Sequence, residues 1–432
     1  MKLLPLLSAC AIAGGFAGGP VWAQPAASPS GPASGPQSSP QTAHPTAFGS
    51  ASGSVTLRAA LDAAWQRAVA ARESEGQRRR AEADRAVAGS FWAAPPSLEL
   101  SHRSDRLHRN TGARETEVGV AVPLWLPGQR AARAGTADAA AAQALAAEQV
   151  ARWRLAGELR EAAWQIVLAQ VEAAQADTQA QGLKQLADDV ERRVRAGDLA
   201  RADALAAQAE HLAATSLQSE VRQRLQLERA RWTLLTGLTS APDLTASTNE
   251  VAPVSAAPHP ELQLATQSTA LAGQRVELMR RSRRDAPELT VGVRQDVSGQ
   301  AEASQGSLVA GLRLSFGTDD RNRPREAAAL SELDVAQTHE QRLRERLDSD
   351  TAAARDAVRS AQAQLEAETA RARLLRERAA LIDKSFRAGE TPLPELLRAL
   401  AAASQADSAA ARQTAALGLA RARLQQTLGL LP

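Results

Sequence analysis

Residues 194–205 read VRAGDLARADAL, and residues 386–397 read FRAGETPLPELL. Arg195 matches Arg387, and Gly197 matches Gly389, at one offset (387 − 195 = 192). In each copy a glycine lies between two Ala-rich helical segments, which is typical of the turn in a long helical hairpin, because glycine readily ends helices. The two stretches therefore predict a chain built from two copies of one unit.

Two β-hairpins are predicted at the same offset. In residues 96–125 and again in residues 287–316, apolar side chains alternate with small or polar ones, and Gly119 matches Gly311. The alternating apolar positions are Leu98, Leu100, Val118, Val120, Val122 and Leu124, then Leu289, Val291, Val293, Leu308, Ala310, Leu312, Leu314 and Phe316. Alternation of this kind indicates strands with one apolar face. Because an isolated hairpin is marginal, a ring of protomers is expected to close the sheet.

The helical segment from about residue 130 to 194 carries a seven-residue apolar repeat. It predicts helices that supercoil against neighbours over about 100 Å, at 1.5 Å per residue. The second copy keeps the repeat, apart from Glu368. The positions are Leu155, Leu159, Ala162, Ile166, Ala169, Ala173, Ala176, Ala180, Leu183, Ala187, Val190 and Val194, then Val358, Ala361, Leu365, Glu368, Ala372, Leu375, Ala379, Ile382 and Phe386.

The amino-terminal segment has the pattern of a secretory signal peptide. Residues 1–23 combine a basic start, an apolar run and a small-residue end, so cleavage before Gln24 is expected. Cys10 also fits lipoprotein processing, in which it would carry a lipid, and both routes stay open. We divide the chain into a signal peptide (1–23), a Pro/Ser/Ala-rich disordered leader (24–54), a first repeat (55–240) that opens with one helix over residues 55–91, a linker (241–260) and a second repeat (261–432).

Charge and motifs exclude several classes of function. The net charge is only +3, and no basic stripe is interleaved with aromatics, so no nucleic-acid partner is expected. The basic cluster MRRSRR, residues 279–284, is interpreted as a solvated cap at a helix end. No later segment has the roughly 18 to 20 uncharged apolar residues of a membrane-spanning helix.

No enzyme motif is present, so we expect no catalytic residue, no cofactor and no metal site. The six histidines are scattered, and none has metal-binding spacing with another. His102 and His108 flank one loop and could share a metal with Asp105, but a solvent-exposed loop is the simpler interpretation.

Three aromatic residues lie where the predicted strands join the helices: Trp92, Trp125 and Phe316. An aromatic belt at a membrane interface would have such residues at strand ends. Packing at the hinges of a water-soluble sheet would place them there equally well, and the local sequence does not decide between the two.

The order of these features resembles the TolC-type outer-membrane efflux proteins. The resemblance covers residues 55–430 and consists of a signal peptide, a Pro-rich leader and two helix–hairpin–helix repeats, each with an R-x-G-x(5)-[DE]-x-L turn. Residues 123–133, PLWLPGQRAAR, look most like the CzcC-like subgroup of heavy-metal efflux systems.

The resemblance implies a mainly α fold with β-hairpins, in which three protomers form an α-barrel of coiled-coil helices and share a twelve-stranded outer-membrane β-barrel. Such a homotrimer, in contact with outer-membrane lipid and extending into the periplasm, would be the exit duct of a tripartite pump that exports heavy-metal cations. Its partners would be a periplasmic adaptor and an inner-membrane transporter of the RND type, driven by protons.

Residues of the two turns carry over from the family. The turns would contact the adaptor through Arg195, Gly197, Asp198, Leu199, Arg387, Gly389 and Glu390, although a tight turn with a helix cap also accounts for Gly and Asp. The channel gate would involve Asp203, Phe386, Glu395 and Arg398. The chain departs from the family where Phe386 replaces a hydrogen-bonding Tyr and Arg398 replaces a second acidic residue.

Alternatives remain within and outside this class. A duct for drug efflux or type I protein secretion would have the same features. A periplasmic coiled-coil adaptor or scaffold would also have long helices, but adaptors usually carry one helical hairpin and lipoyl-like β segments. The symmetrical placement of two strand hairpins favours the channel.

Overall fold

A computed structural model describes residues 55–107, 110–242, 244, 258–316 and 319–432. The predicted signal peptide and leader, residues 1–54, and most of the predicted linker lie outside these ranges. The described elements are, in chain order, α1 (Leu57–Arg67), α2 (Val69–Gly89), β1 (Ser97–Ser104), β2 (Arg114–Pro123), α3 (Gln129–Ala196), α4 (Arg201–Thr236), α5 (Pro260–Arg281), β3 (Glu288–Val297), β4 (Gln305–Arg313), α6 (Asp319–Arg387) and α7 (Leu393–Thr427). The predicted fold class, mainly helical with antiparallel hairpins, is confirmed.

The two long helices, α3 and α6, contain 68 and 69 residues, so each extends for about 100 Å. Helix α4 packs along α3, and α7 packs along α6. The buried face of α3 is the predicted apolar repeat, and it includes Leu159, Ile166, Ala173, Ala180 and Val190. Small alanine side chains on this face let the helix axes approach closely.

The first helical segment differs from its prediction. One helix over residues 55–91 was expected, but the chain breaks at Ala68, whose φ of −69° and ψ of 136° are extended. The break lets Leu61 and Ala64 of α1 pack into a cluster with Leu155 and Trp232. No glycine or proline lies at the break, so the sequence carries no local sign of it.

The two repeats are joined through the end of α7. The Arg160 guanidinium of α3 is buried and donates to the carbonyl of Leu430 at 2.9 Å and to the side chain of Gln426. Burial lowers the pKa of Arg160 to about 10. The indole N–H of Trp153 donates to the Gln426 carbonyl at 2.9 Å, so the last turn of α7 is held against α3.

The strands form one four-stranded antiparallel sheet in the order β1-β2-β3-β4. The two hairpins meet where β2 pairs with β3, with Val120 opposite Val291 and Gly119 opposite Gly292. A Cβ atom at Gly292 would lie 2.7 Å from the Val118 carbonyl oxygen, so the close approach requires glycine. The outer edge of β1 and the outer edge of β4 pair with no further strand among the described residues. The last strand ends at Arg313, so the prediction that Leu314 and Phe316 belong to it is wrong.

In the part of the chain that the structure describes, no helix has both the length and the apolar character needed to cross a membrane.

Candidate functional site

Both predicted turns end a long helix in the same way. Gly197 has a φ of 90°, and the N–H of Asp198 donates to the carbonyl of Arg193 at 2.9 Å. Gly389 has a φ of 79°, and the N–H of Glu390 donates to the carbonyl of Ser385 at 3.1 Å. A residue with a Cβ is strained at such φ values, which explains the repeated glycine. We call residues 196–200 and 388–392 the tip turns.

The structure brings the two tip turns together on one apolar cluster, here called the tip cluster. Its buried members are Val190, Ala207, Phe386, Leu393 and Leu396. Leu199, a predicted docking residue, is half-buried against it. Phe386, predicted at the gate, is only 3% exposed, so its ring joins the two hairpins and is not presented to solvent.

The paired tip arginines have partners within their own helices. Arg195 lies 3.9 Å from Glu191, and Arg387 lies 2.7 Å from Asp383, both at i,i+4 spacing. A carboxylate one turn before an arginine at a helix C-terminus stabilises the helix slightly. Both arginine side chains remain 71% and 70% exposed, so they are also accessible to a partner.

The matched acidic residues Asp203 and Glu395 have different environments. An Asp203 carboxylate oxygen accepts the N–H of Ala200 at 3.2 Å and so caps α4. The position that matches Ala200 is Pro392, which has no N–H to donate. The Glu395 side chain is exposed and makes no ion pair or hydrogen bond with any described residue. Of this matched pair, only Glu395 is therefore uncommitted.

Arg193 is a tip residue that the sequence reasoning missed. Its Nε lies 3.0 Å from Asp189 Oδ2, and its guanidinium carbon lies 5.2 Å from the centre of the Phe386 ring. The matching residue in the second repeat is Ser385, so the repeat did not reveal this position. Arg398, predicted at the gate, donates to the Pro394 carbonyl of its own helix at 3.2 Å.

A cavity of about 740 Å³ separates the two helical hairpins on the side of the tip cluster toward the strands. Charged side chains of both hairpins line it, including Asp189 and Glu210 from the first and Arg376 and Asp407 from the second. Arg376 and Asp407 form an ion pair at 2.7 Å. The two helical hairpins are thus in direct apolar contact at the tip cluster, and the cavity lies between them next to this cluster.

The sheet has one exposed apolar face and one charged face. Side chains of the apolar face are exposed in every strand, and they include Leu98, Leu100, Val120, Val291, Val293, Leu308 and Leu312. On the other face Arg294 lies 3.0 Å from Glu115 and 2.8 Å from Glu117. A water-soluble sheet would bury the apolar face and expose the charged one, so this sheet suits a surrounding that is not water.

Trp92, Trp125 and Phe316, the aromatic residues that could form a membrane-interface belt, lie at the strand–helix junctions in different environments. The indole N–H of Trp125 donates to the Ser90 carbonyl at 3.2 Å, which is a hinge contact. Trp92 packs edge-on against Phe91 at 4.5 Å. Phe316 and Phe91 are 77% and 73% exposed. Hinge packing accounts for Trp125, and it does not account for the two exposed phenylalanines.

In and next to the loop between β1 and β2, the described side chains Asp105 and His102 contact threonine hydroxyls. Asp105 accepts hydrogen bonds from the hydroxyl and N–H of Thr111, which lowers the pKa of its carboxyl. His102 lies 2.9 Å from the hydroxyl of Thr116, and His108 lies outside the described residues. The part of the chain that the structure describes contains no group of three or more metal-binding side chains.

Neither a protein-family model nor a curated protein sequence matches the chain. Solved structures of outer-membrane proteins match its fold. The outer membrane protein VceC from Vibrio cholerae has a TM-score of 0.70 at 15% identity, over 86% of this chain and 96% of that chain. CusC, whose crystal structures concern folding and transmembrane channel formation, has a TM-score of 0.72 at 14% identity, over 87% of this chain and 93% of that chain. The CmeC outer membrane channel of Campylobacter jejuni has a TM-score of 0.69 at 11% identity, over 86% of this chain and 85% of that chain. The chain therefore has the fold of outer-membrane channels of the TolC type.

Proposed function

We propose that the chain is the outer-membrane exit duct of a tripartite efflux pump, a passive channel and not an enzyme. The observation that carries this proposal is the four-stranded sheet, whose apolar face is exposed and whose edges β1 and β4 are unpaired in the described protomer. Lipid would cover the apolar face. Three protomers, each giving four strands, would pair their edges into a closed barrel, which leaves no backbone group unsatisfied in the membrane.

Exposed leucines on the helices support a homotrimer. On α4, Leu205 and Leu212 are 60% and 61% exposed, and on α6, Leu374 and Leu381 are 60% and 64% exposed. Each pair is seven residues apart, the spacing of a coiled-coil seam that lacks its partner. Packing of α4 against α6 of the next protomer would bury both seams and form an α-barrel that extends into the periplasm.

The tip would contact the periplasmic adaptor, and an inner-membrane transporter of the RND type would supply the energy. Arg195, Asp198, Arg387 and Glu390 are exposed at the tip turns. Exposed ion pairs contribute little to stability. Replacing both arginines by Ala should therefore abolish adaptor binding, measured by crosslinking in cells, while the thermal unfolding temperature stays unchanged. A parallel loss of stability would leave the arginines with a purely structural role.

Heavy-metal cations are the proposed substrates. The motif of residues 123–133 supports the CzcC-like subgroup, and in a trimer the uncommitted Glu395 would place three carboxylates around the passage. Deletion of the gene should sensitise cells to cobalt, zinc, cadmium or copper. Sensitivity to drugs alone, or failure to secrete a protein, would instead identify a drug-efflux or type I secretion duct.

Two neighbouring residues of β3 test the membrane assignment. Val291 belongs to the exposed apolar face, whereas Thr290 lies on the opposite face. An arginine facing lipid near the bilayer centre costs roughly 2–4 kcal/mol. Val291→Arg should therefore prevent outer-membrane trimers, while Thr290→Arg should leave them intact. Recovery of wild-type protein as a soluble periplasmic monomer would instead favour an adaptor or scaffold.

A further inference from the structure

The first turns of α3 and α6 both contact Ser282, the residue directly after α5. The side-chain amide of Gln129, the first residue of α3, donates to the Ser282 hydroxyl at 3.1 Å. The side-chain amide of Asn322, in the first turn of α6, donates to the Ser282 carbonyl at 3.1 Å. The N–H of Leu124 donates to the carbonyl of Pro287 at 2.7 Å, just before β3 begins. The end of α5 therefore lies at the base of the sheet.

A basic groove of about 510 Å³ opens at this point. The loop between β2 and α3 forms one wall, and the end of α5 contributes Glu277 and four arginines, which are Arg280, Arg281, Arg283 and Arg284. Arg280 pairs with Glu326 at 3.1 Å, and Arg281 pairs with Glu277 at 2.7 Å. Because Arg280 and Arg281 are each paired, the positive charge that the groove presents comes from Arg284, which makes no ion pair with any described residue.

A helix cap does not explain all four arginines. The cluster was interpreted as a solvated cap, but α5 ends at Arg281. Arg283 and Arg284 lie beyond the last turn, where the helix dipole no longer acts strongly. Arg284 is exposed and makes no ion pair with any described residue. It is therefore available to an anion.

The position of the groove identifies the anion. Leu289, on the exposed apolar face, follows Arg284 by five residues, a span of at most about 18 Å. Exposed Phe91 and Phe316 lie at the two other strand–helix junctions, at the same end of the antiparallel sheet. A cationic groove beside an apolar face and exposed aromatics matches the boundary between lipid headgroups and acyl chains.

We propose that this groove binds the phosphate of an anionic phospholipid in the membrane leaflet that faces the periplasm. The inference rests on the proposed outer-membrane location. Arginine suits the role because its planar guanidinium can donate two parallel hydrogen bonds to phosphate oxygens. The bound lipid would fix the depth at which the sheet enters the membrane.

The test uses the full-length trimer in nanodiscs of phosphatidylcholine alone or of an equal mixture with phosphatidylglycerol. Native mass spectrometry measures the lipid that stays bound. One arginine near an anionic surface contributes roughly fivefold in affinity. We therefore expect wild type, through the unpaired Arg284, to retain phosphatidylglycerol about fivefold over phosphatidylcholine and the triple variant Arg280→Gln/Arg281→Gln/Arg284→Gln to lose this preference.

The matched control is Arg359→Gln/Arg371→Gln/Arg378→Gln on α6. Arg359 and Arg371 are ion-paired, and Arg378 is exposed without a partner among the described residues, as in the groove. This control should retain the preference. High salt should abolish the preference in wild type, because it screens exposed charges, and this measurement does not depend on any variant folding.

Any one of five outcomes overturns the lipid site. Equal retention of phosphatidylglycerol by wild type and by the triple arginine variant, here called the groove variant, excludes a lipid site in the groove. Competition by inorganic phosphate that matches the effect of phosphatidylglycerol identifies a site for free anions. If the groove variant loses adaptor binding but retains phosphatidylglycerol as wild type does, the groove is a contact site for a protein. Absence of the wild-type trimer from the outer membrane overturns the proposed function as well, whereas an inserted trimer without lipid preference overturns only this inference.

Discussion

The guanidinium of Arg193, near the end of the first long helix, lies over the ring of Phe386, near the end of the second, with 5.2 Å between the guanidinium carbon and the ring centre. The Nε atom of Arg193 also forms an ion pair with Asp189 Oδ2 at 3.0 Å. The contact joins the two repeats beside the cavity between their helical hairpins. It occupies the place where the TolC-type resemblance suggested a tyrosine hydrogen bond.

Arg193→Gln should loosen the tip. A cation–π contact at a partly exposed site contributes about 0.5–1 kcal/mol, so the open fraction of channels should rise roughly two- to fivefold. Single-channel recording in planar bilayers measures this fraction. Arg192→Gln is the control, because Arg192 pairs with the same Asp189 at 3.1 Å but does not contact the ring. An equal effect of both changes would assign the role to the ion pairs.

The acidic residues of the two tip turns should give different phenotypes. Glu395→Gln should weaken block of the current by divalent cations, because it removes an uncommitted carboxylate, and it should leave stability unchanged. Asp203→Ala removes the capping acceptor and should cost about 1 kcal/mol of unfolding free energy. Unfolding in denaturant and cation titration of the current measure the two effects. Unchanged cation block in Glu395→Gln would remove Glu395 from the gate.

Gly418→Ala should destabilise the contact between α3 and α7. A Cβ at Gly418 would lie 2.0 Å from the indole of Trp164, and overpacking of this kind costs about 3 kcal/mol. Gly76→Ala is the control, because its Cβ would meet nothing within 4 Å, and an alanine in a helix gains up to about 1 kcal/mol over glycine. The thermal unfolding temperatures should move in opposite directions. Trp164→Leu should partly restore the Gly418→Ala protein.

Glu340 should make the packing of α5 on α6 sensitive to acid. Hydrogen bonds from the hydroxyls of Thr269 and Thr266, at 2.8 and 2.9 Å, lower the pKa of Glu340 below its ordinary value of 4.5. Because the folded state has the lower pKa, this stabilisation is complete above about pH 4.5 and is lost as the pH falls through the folded value.

Thr269→Val should therefore cost about 1 kcal/mol at neutral pH and less below pH 4. Unfolding free energies measured across this range test the prediction. Thr338→Val is the control, because the Thr338 hydroxyl donates only to a backbone carbonyl of its own helix. A cost for Thr269→Val that does not change with pH would exclude the titration of Glu340 as its origin.

Local patterns predicted most of the secondary structure. The tip turns follow from Gly197 and Gly389, because the left-handed backbone conformation there excludes most other residues. The strands follow from alternation that needs no knowledge of their partners. The break at Ala68 was not predictable, since contacts with α3 stabilise it and no local residue demands it.

The sequence by itself determined the two-fold repeat, because two similar stretches can be compared letter by letter. It also determined the long helices, the hairpins and the turns, because each of these depends on residues close together in the chain. Only the tertiary structure decided that the tip turns share one apolar cluster, that Arg193 stacks on Phe386, and that the arginines after α5 lie at the base of the sheet. Those relationships join residues as far apart as Val190 and Leu396 (396 − 190 = 206 positions). Packing between helices creates them, and a periodic pattern records that a face is apolar without recording which face it meets.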